Sequence, residues 1–184
     1  MSFPPDDIER LVTKIAAILR SRKENLAISE AACGGLLSAY IVTVPGASNF
    51  YIGGKLVYSL RQRLKLSGCT DEEISSYVGP SEQVALRLAR TAKYELGSTY
   101  VLSETGFAGP SKDLHLSDSD SKSTATASDA EVGTVYLGLC GPTGEVSCMR
   151  NTGSKVRASN MVEFARLGLQ FLLDQLERIE STES

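Results

Sequence analysis

Apolar residues recur at helical spacing between Asp6 and Arg22, where Ile8, Leu11, Val12, Ile15, Ala16 and Leu19 gather on one face. Acidic Asp6, Asp7 and Glu9 at the start and basic Arg20, Arg22 and Lys23 at the end suit the helix dipole. The run Leu26-Ala27-Ile28 fits a short buried strand, and Leu36, Leu37, Tyr40 and Ile41 return to helical spacing before Pro45 and Gly46 stop it. Phe50 to Tyr58 reads as a strand interrupted by Gly53 and Gly54. Leu60 to Leu66 predicts a short helix, and Thr70 with Glu73 forms a capping box for another through Tyr77. A longer helix starts at Ser81, places Val84, Leu88, Ala92 and Leu96 near one face, and ends at Gly97. Tyr100 to Leu102 is a buried strand. Val132 to Cys140 and Glu145 to Asn151 form a hairpin around Gly141-Pro142-Thr143-Gly144. A last helix from about Ser154 to Ile179 carries Met161, Phe164, Ala165, Gly168, Phe171 and Leu172 as its apolar stripe.

Strands that alternate with helices predict an α/β fold, with helices on both faces of one sheet and the hairpin making that sheet mixed. The 184 residues suit a single domain. Between Ser111 and Glu131 the composition changes abruptly, and Ser117 to Ser128 is almost wholly Ser, Asp, Thr, Ala and Lys, which cannot bury enough apolar surface to fold alone; about 111–131 reads as a flexible surface insertion.

Composition narrows the function classes. No apolar run approaches the roughly 20 residues that cross a bilayer. Met1 to Glu9 carries no basic-then-apolar leader, so the expectation is a soluble cytoplasmic protein. A net charge of −3 with interleaved signs argues against nucleic acid and for a small-molecule partner. Cys33, Cys69, Cys140 and Cys148 form no C-x-x-C pair and read as thiols. His115, the only histidine, has no metal-ligand spacing around it, so no metal is expected.

Candidate chemistry lies in two glycine-bearing turns that follow strands. Glu30-Ala31-Ala32-Cys33-Gly34-Gly35 and Thr105-Gly106-Phe107-Ala108-Gly109-Pro110 let backbone approach a ligand closely, at the sheet end where α/β folds gather ligands. Ser48, Tyr58 and Arg63 flank the second strand. Each has a plainer reading: Ser48 as a turn residue, Tyr58 as an amphipathic strand residue, and Arg63 as part of a solvated basic helix with Arg61 and Lys65. The functional alternative for Arg63 is a phosphate or carboxylate clamp. Cys33 beside a helix start could gain a lowered thiol pKa or be structural.

These segments, together with Pro45-Gly46-Ala47-Ser48, Tyr58-Ser59, Val78-Gly79-Pro80-Ser81 and Gly133-Thr134-Val135, resemble the CinA C-terminal domain family in order along nearly the whole chain. Members include nicotinamide mononucleotide deamidases, serine amidohydrolases that turn the carboxamide into an acid and release ammonia. The resemblance implies a three-layer α/β/α fold with a mixed five-stranded sheet, a homo-oligomer, and no cofactor. It also implies Ser48 as nucleophile, with Tyr58 and the residue five beyond it completing the catalytic set. Glu30, Cys33, Gly34, Gly35, Thr105, Gly106, Gly109 and Arg157 then bind substrate, Arg157 following the altered Gly153-Ser154-Lys155 element.

Departures from the pattern are chemical. The family's lysine is Arg63 here, and Ala31 replaces the serine of a Glu-Ser-Cys-Thr-Gly-Gly turn. A desolvated lysine can take a serine's proton, whereas arginine stays protonated. Lys65 faces roughly 200° around the helix from Arg63, and Lys55 points to the other sheet face from Tyr58, so neither replaces the base. Two functions follow: a weakened or altered amidohydrolase acting on a nucleotide amide, or a non-catalytic protein that binds a nucleotide or serves as an oligomeric interaction module.

Overall fold

The computed structural model describes residues 3–77, 79–111 and 131–182. Its elements run α1 (Asp6–Arg22), β1 (Leu26–Glu30), α2 (Leu36–Ile41), a 3-10 turn (Ala47–Asn49), β2 (Tyr51–Leu56), α3 (Leu60–Leu66), α4 (Asp71–Ser75), α5 (Glu82–Leu96), β3 (Tyr100–Gly106), β4 (Thr134–Gly141), β5 (Gly144–Asn151) and α6 (Arg157–Thr182). The five strands form one mixed sheet in the order β2-β1-β3-β4-β5. β1 pairs in parallel with β2 and β3, while β3-β4 and β4-β5 are antiparallel. This is the α/β architecture the periodicity predicts. Most of the insertion read at 111–131, with His115 inside it, lies outside the described residues.

One sheet face is covered by α1, α2 and α6, whose Ile8, Val12, Ile15, Leu19, Leu37, Phe164, Leu169 and Leu172 pack with Leu26, Ile28, Leu102 and Leu137 of the strands. The other carries α5, where Ala89 and Ala92 meet Ala27, Val101 and Cys140. All of β1 is buried, as a central strand covered on both faces must be. Helix α5 buries Ala85, Leu88, Ala89 and Ala92, a face offset from the expected Val84, Leu88, Ala92 and Leu96. Close approach explains the offset: a Cβ on Gly138 of β4 would stand 2.8 Å from the Ala85 carbonyl carbon, so only small side chains fit the contact. The Thr70 capping box forms as expected, with its helix ending at Ser75.

The chain leaves β1 through α2 to reach β2 on one side, then returns through α5 to reach β3 on the other. The carboxyl end of β1 is therefore a topological switch point, where adjacent crossovers part and leave a crevice. Glu30, Tyr58 and Thr105 all come from this end of the sheet. Among the described residues no helix is long and apolar enough to cross a membrane.

Candidate functional site

Glu30 ends β1 with its carboxylate buried. Its Oε2 accepts from the Gly35 and Leu37 amides at 2.9 and 3.1 Å, and its Oε1 accepts from the Ser38 amide at 2.7 Å and the Ser38 hydroxyl at 2.5 Å. The Tyr51 hydroxyl in turn donates to Ser38 Oγ at 2.7 Å. Those amides open α2 and have no partner within the helix, so the strand before it supplies the acceptor. Glu30 thus serves as the clamp of the turn rather than as an exposed substrate ligand. Gly34 and Gly35 take φ +65° and +103°, the left-handed backbone that lets the chain fold back over the strand end. The Cys33 thiol is fully buried, and burial, with Glu104 and Glu30 nearby, pushes its pKa well above the ordinary thiol value. It is a packed side chain, not an activated thiolate.

Arg63 points inward from α3 and is 8% exposed, against the solvated-helix reading. Its Nε donates to the Val57 carbonyl at 3.1 Å, one terminal nitrogen to Thr105 Oγ1 at 2.7 Å, and the other to the Tyr58 carbonyl at 3.0 Å. The exposed Tyr58 ring is met by Arg157, which donates to the Tyr58 hydroxyl at 2.5 Å and to the Gly109 carbonyl at 2.6 Å. Two arginines therefore tie β2, α3, β3, the loop after β3 and α6 into one cluster. Asn160, fully buried, donates to the Ala108 carbonyl at 3.0 Å and holds that loop from α6. Gly106 is required because a Cβ there would lie 2.4 Å from the Thr134 carbonyl oxygen of β4. Of the expected site residues, Tyr58, Arg63, Thr105, Gly106, Gly109 and Arg157 converge.

Ser48 does not join them. It lies exposed in the 3-10 turn before β2, beside Phe50, whose carbonyl accepts from the Leu26 amide at 2.7 Å where β1 begins. Tyr58 follows the far end of the same strand, and at about 3.3 Å per residue the two stand roughly 20 Å or more apart. A residue before a strand and one after it occupy opposite sheet ends, whatever their closeness in sequence. Near Ser48 the chain is held instead by Arg20, which donates to the Pro45 carbonyl at 2.6 Å. Ser48→Ala is expected to change stability by less than about 0.5 kcal/mol in urea unfolding, the range of exposed surface substitutions. Neither lysine supplies a base: Lys55 pairs with Glu95 of α5, and Lys65 is exposed on the face of α3 away from the cluster.

Two residues of this end escaped the sequence reading. Glu104, wholly buried on β3, accepts from the Ala31 and Cys33 amides at 2.5 and 2.8 Å through Oε1, while its Oε2 has no hydrogen-bond partner. The buried Tyr77 hydroxyl likewise has none. Both groups stand within electrostatic reach of Arg63. Burial lowers the affinity of the Arg63 guanidinium for its proton, and Tyr77, Glu104 and Tyr58 push the other way. The signal in the sequence is a carboxylate just past the buried run Tyr100-Val101-Leu102, where it demands a partner.

Burial raises the Glu104 pKa from 4.5 to about 6, against the two amides and Arg63, which lower it. The folded state therefore binds this proton more tightly than the unfolded chain. Its stabilising effect is fully present below about pH 4.5 and is lost as pH rises through about 6. Relative to Glu104→Gln, the wild type should gain about 2 kcal/mol of stability between pH 7.5 and pH 4.5 in paired urea titrations.

Comparison with known proteins gives the family and the fold. A family model described as the CinA C-terminal domain matches residues 8–176. The chain belongs to the CinA C-terminal domain family. A CinA-like protein of Synechococcus elongatus is 33% identical over 172 residues, covering 94% of this chain and 37% of the relative. One of Nostoc punctiforme is 30% identical over 170 residues, covering 92% and 37%. The chain thus spans just over a third of the length of these curated relatives. Its fold matches the competence/damage inducible protein CihA of Agrobacterium tumefaciens, with a TM-score of 0.81 at 23% identity over 96% of this chain and 99% of that one. A CinA superfamily protein of Escherichia coli gives 0.76 at 19% identity over 94% and 93%. Within this CinA domain, the positions flanking the buried carboxylate are Ala31, which carries no hydroxyl, and Arg63, which is no base.

Proposed function

We propose that this CinA domain is a binding module for an amide-bearing nucleotide of the nicotinamide mononucleotide type, and that it does not hydrolyse its ligand. The observation that carries this reading is the state of Arg63: buried, with Nε and both terminal nitrogens committed to Val57, Tyr58 and Thr105. A guanidinium so held orders a pocket wall but cannot accept a proton from a nucleophile. The hydroxyl expected to attack, on Ser48, belongs to the opposite end of the sheet, and the turn beside Glu104 offers only Ala31.

Support for a ligand comes from the rest of the cluster. Arg157 and Tyr58 form a rim that is partly open to solvent, with the guanidinium carbon 6.0 Å from the ring centroid, an arrangement suited to an anionic group and a planar ring. The carboxyl end of β1, where the adjacent crossovers part, supplies Glu30 to the same end of the sheet. Calorimetric titration with nicotinamide mononucleotide tests the proposal: saturable binding that is lost in Arg157→Ala supports it. Absence of binding by the wild type overturns it.

A further inference from the structure

A buried carboxylate oxygen with no donor is rare enough to need a cause. Glu104 cannot turn away from its position, because Oε1 is fixed by the Ala31 and Cys33 amides at 2.5 and 2.8 Å. Among the described residues no polar group donates to Oε2, and the Tyr77 hydroxyl, which like Glu104 acts on Arg63, is without a partner too. Arg63 from α3 donates to Thr105 and to the Val57 and Tyr58 carbonyls, Glu30 from β1 is an acceptor saturated by α2, and Cys33 in the turn is a weakly donating buried thiol. The turn that closes over Glu104 has no side chain at Gly34 or Gly35, and Gly34 is exposed to solvent.

We propose that Glu104 is the specificity-determining acceptor of this site: its free Oε2 takes a hydrogen bond from an N–H of the ligand. A carboxamide or exocyclic amine satisfies it, and the corresponding carboxylic acid does not. The inference rests on the nucleotide-binding reading above and adds the chemical class that the site selects. An ionised carboxylate only accepts, so a –NH2 group fits, whereas an acid ligand sets a second negative charge against the first. Arg63 attracts both charges but hydrogen-bonds to Val57, Tyr58 and Thr105 rather than to Glu104, so it leaves two acceptors facing each other without a donor between them. With its pKa raised to about 6 by burial, Glu104 is ionised at pH 7.5 and becomes a donor when protonated, so the preference should narrow on acidification.

The test is calorimetric titration of the wild type and Glu104→Gln with nicotinamide mononucleotide and with its acid counterpart, nicotinic acid mononucleotide, at pH 7.5 and pH 5.5. The wild type should bind the amide about tenfold or more tightly than the acid at pH 7.5 and discriminate less at pH 5.5. In Glu104→Gln, whose neutral side chain can present either an acceptor or a donor, the gap should close at both pH values. Equal wild-type affinities for the two nucleotides at pH 7.5, a gap unaltered by pH, or a gap that survives in Glu104→Gln overturns the role of Glu104 while leaving nucleotide binding intact. Binding of neither nucleotide to the wild type overturns the binding reading and this inference together. Should Glu104→Gln fail to fold, the wild-type pH comparison decides alone.

Discussion

Glu30→Ala is expected to destabilise the domain by about 3–5 kcal/mol, because charge-assisted hydrogen bonds contribute more than neutral ones and several are lost together. The carboxylate receives the Gly35, Leu37 and Ser38 amides and the Ser38 hydroxyl at distances between 2.5 and 3.1 Å. All of these come from the opening of α2 or the residue just before it. Gly35 has no side chain to cap that helix, and besides Glu30 only the Cys33 carbonyl, at 3.4 Å from the Leu36 amide, meets its start among the described residues. Without the carboxylate, the Leu37 amide stays buried and unpaired, and the turn that shields Glu104 loosens. The urea midpoint should fall by roughly 2 M. Glu30→Gln keeps one acceptor oxygen but turns an NH2 toward amide donors, so an intermediate loss is expected. An unchanged midpoint for Glu30→Ala would falsify the clamp.

Arg63→Ala should cost about 2–4 kcal/mol and weaken nucleotide binding by about tenfold or more. Its removal deprives Thr105 Oγ1 and two carbonyls of a donor, and takes from Glu104 a cation that favours its ionised form. That second effect has a separate signature. With no guanidinium to favour ionisation, Glu104 should protonate at a pH above about 6, moving the stability change upward in pH. Arg63→Lys places a point charge where a fork stood; it can reach Thr105 but not both carbonyls as well, so it should recover the pH effect more fully than the stability. A variant that loses stability with no movement of the pH profile would mean that Arg63 and Glu104 are electrostatically independent.

Much of this architecture was legible before any coordinates. The stripe of α1, the Thr70-Glu73 box and the hairpin at Gly141 to Gly144 each combine a hydrophobic period with a terminal signal, and each appears where two such signals agree. The face of α5 was displaced because periodicity locates apolar residues, while the distance between helix and sheet at Gly138 selected alanines instead. At the site, the turns and the residues Tyr58, Arg63, Thr105 and Arg157 were found through motifs, but their directions were not. An arginine on a short helix with charged neighbours looks solvated until Thr105 and the Val57 and Tyr58 carbonyls surround it. Ser48 is picked out by the turn it follows and by the resemblance, although its position before β2, with Tyr58 after it, already puts a strand length between them. Glu104 is hidden in the sequence because the apolar run Tyr100 to Leu102 suffices to mark the strand, while the acid lies just before the glycine-bearing turn.

Ammonia release from nicotinamide mononucleotide, measured with the wild-type protein in excess over ligand at a concentration where calorimetry gives saturation, is the most direct test of binding without hydrolysis. No ammonia above the protein-free control is the expected result. Ammonia release by the wild type in proportion to protein concentration would contradict it.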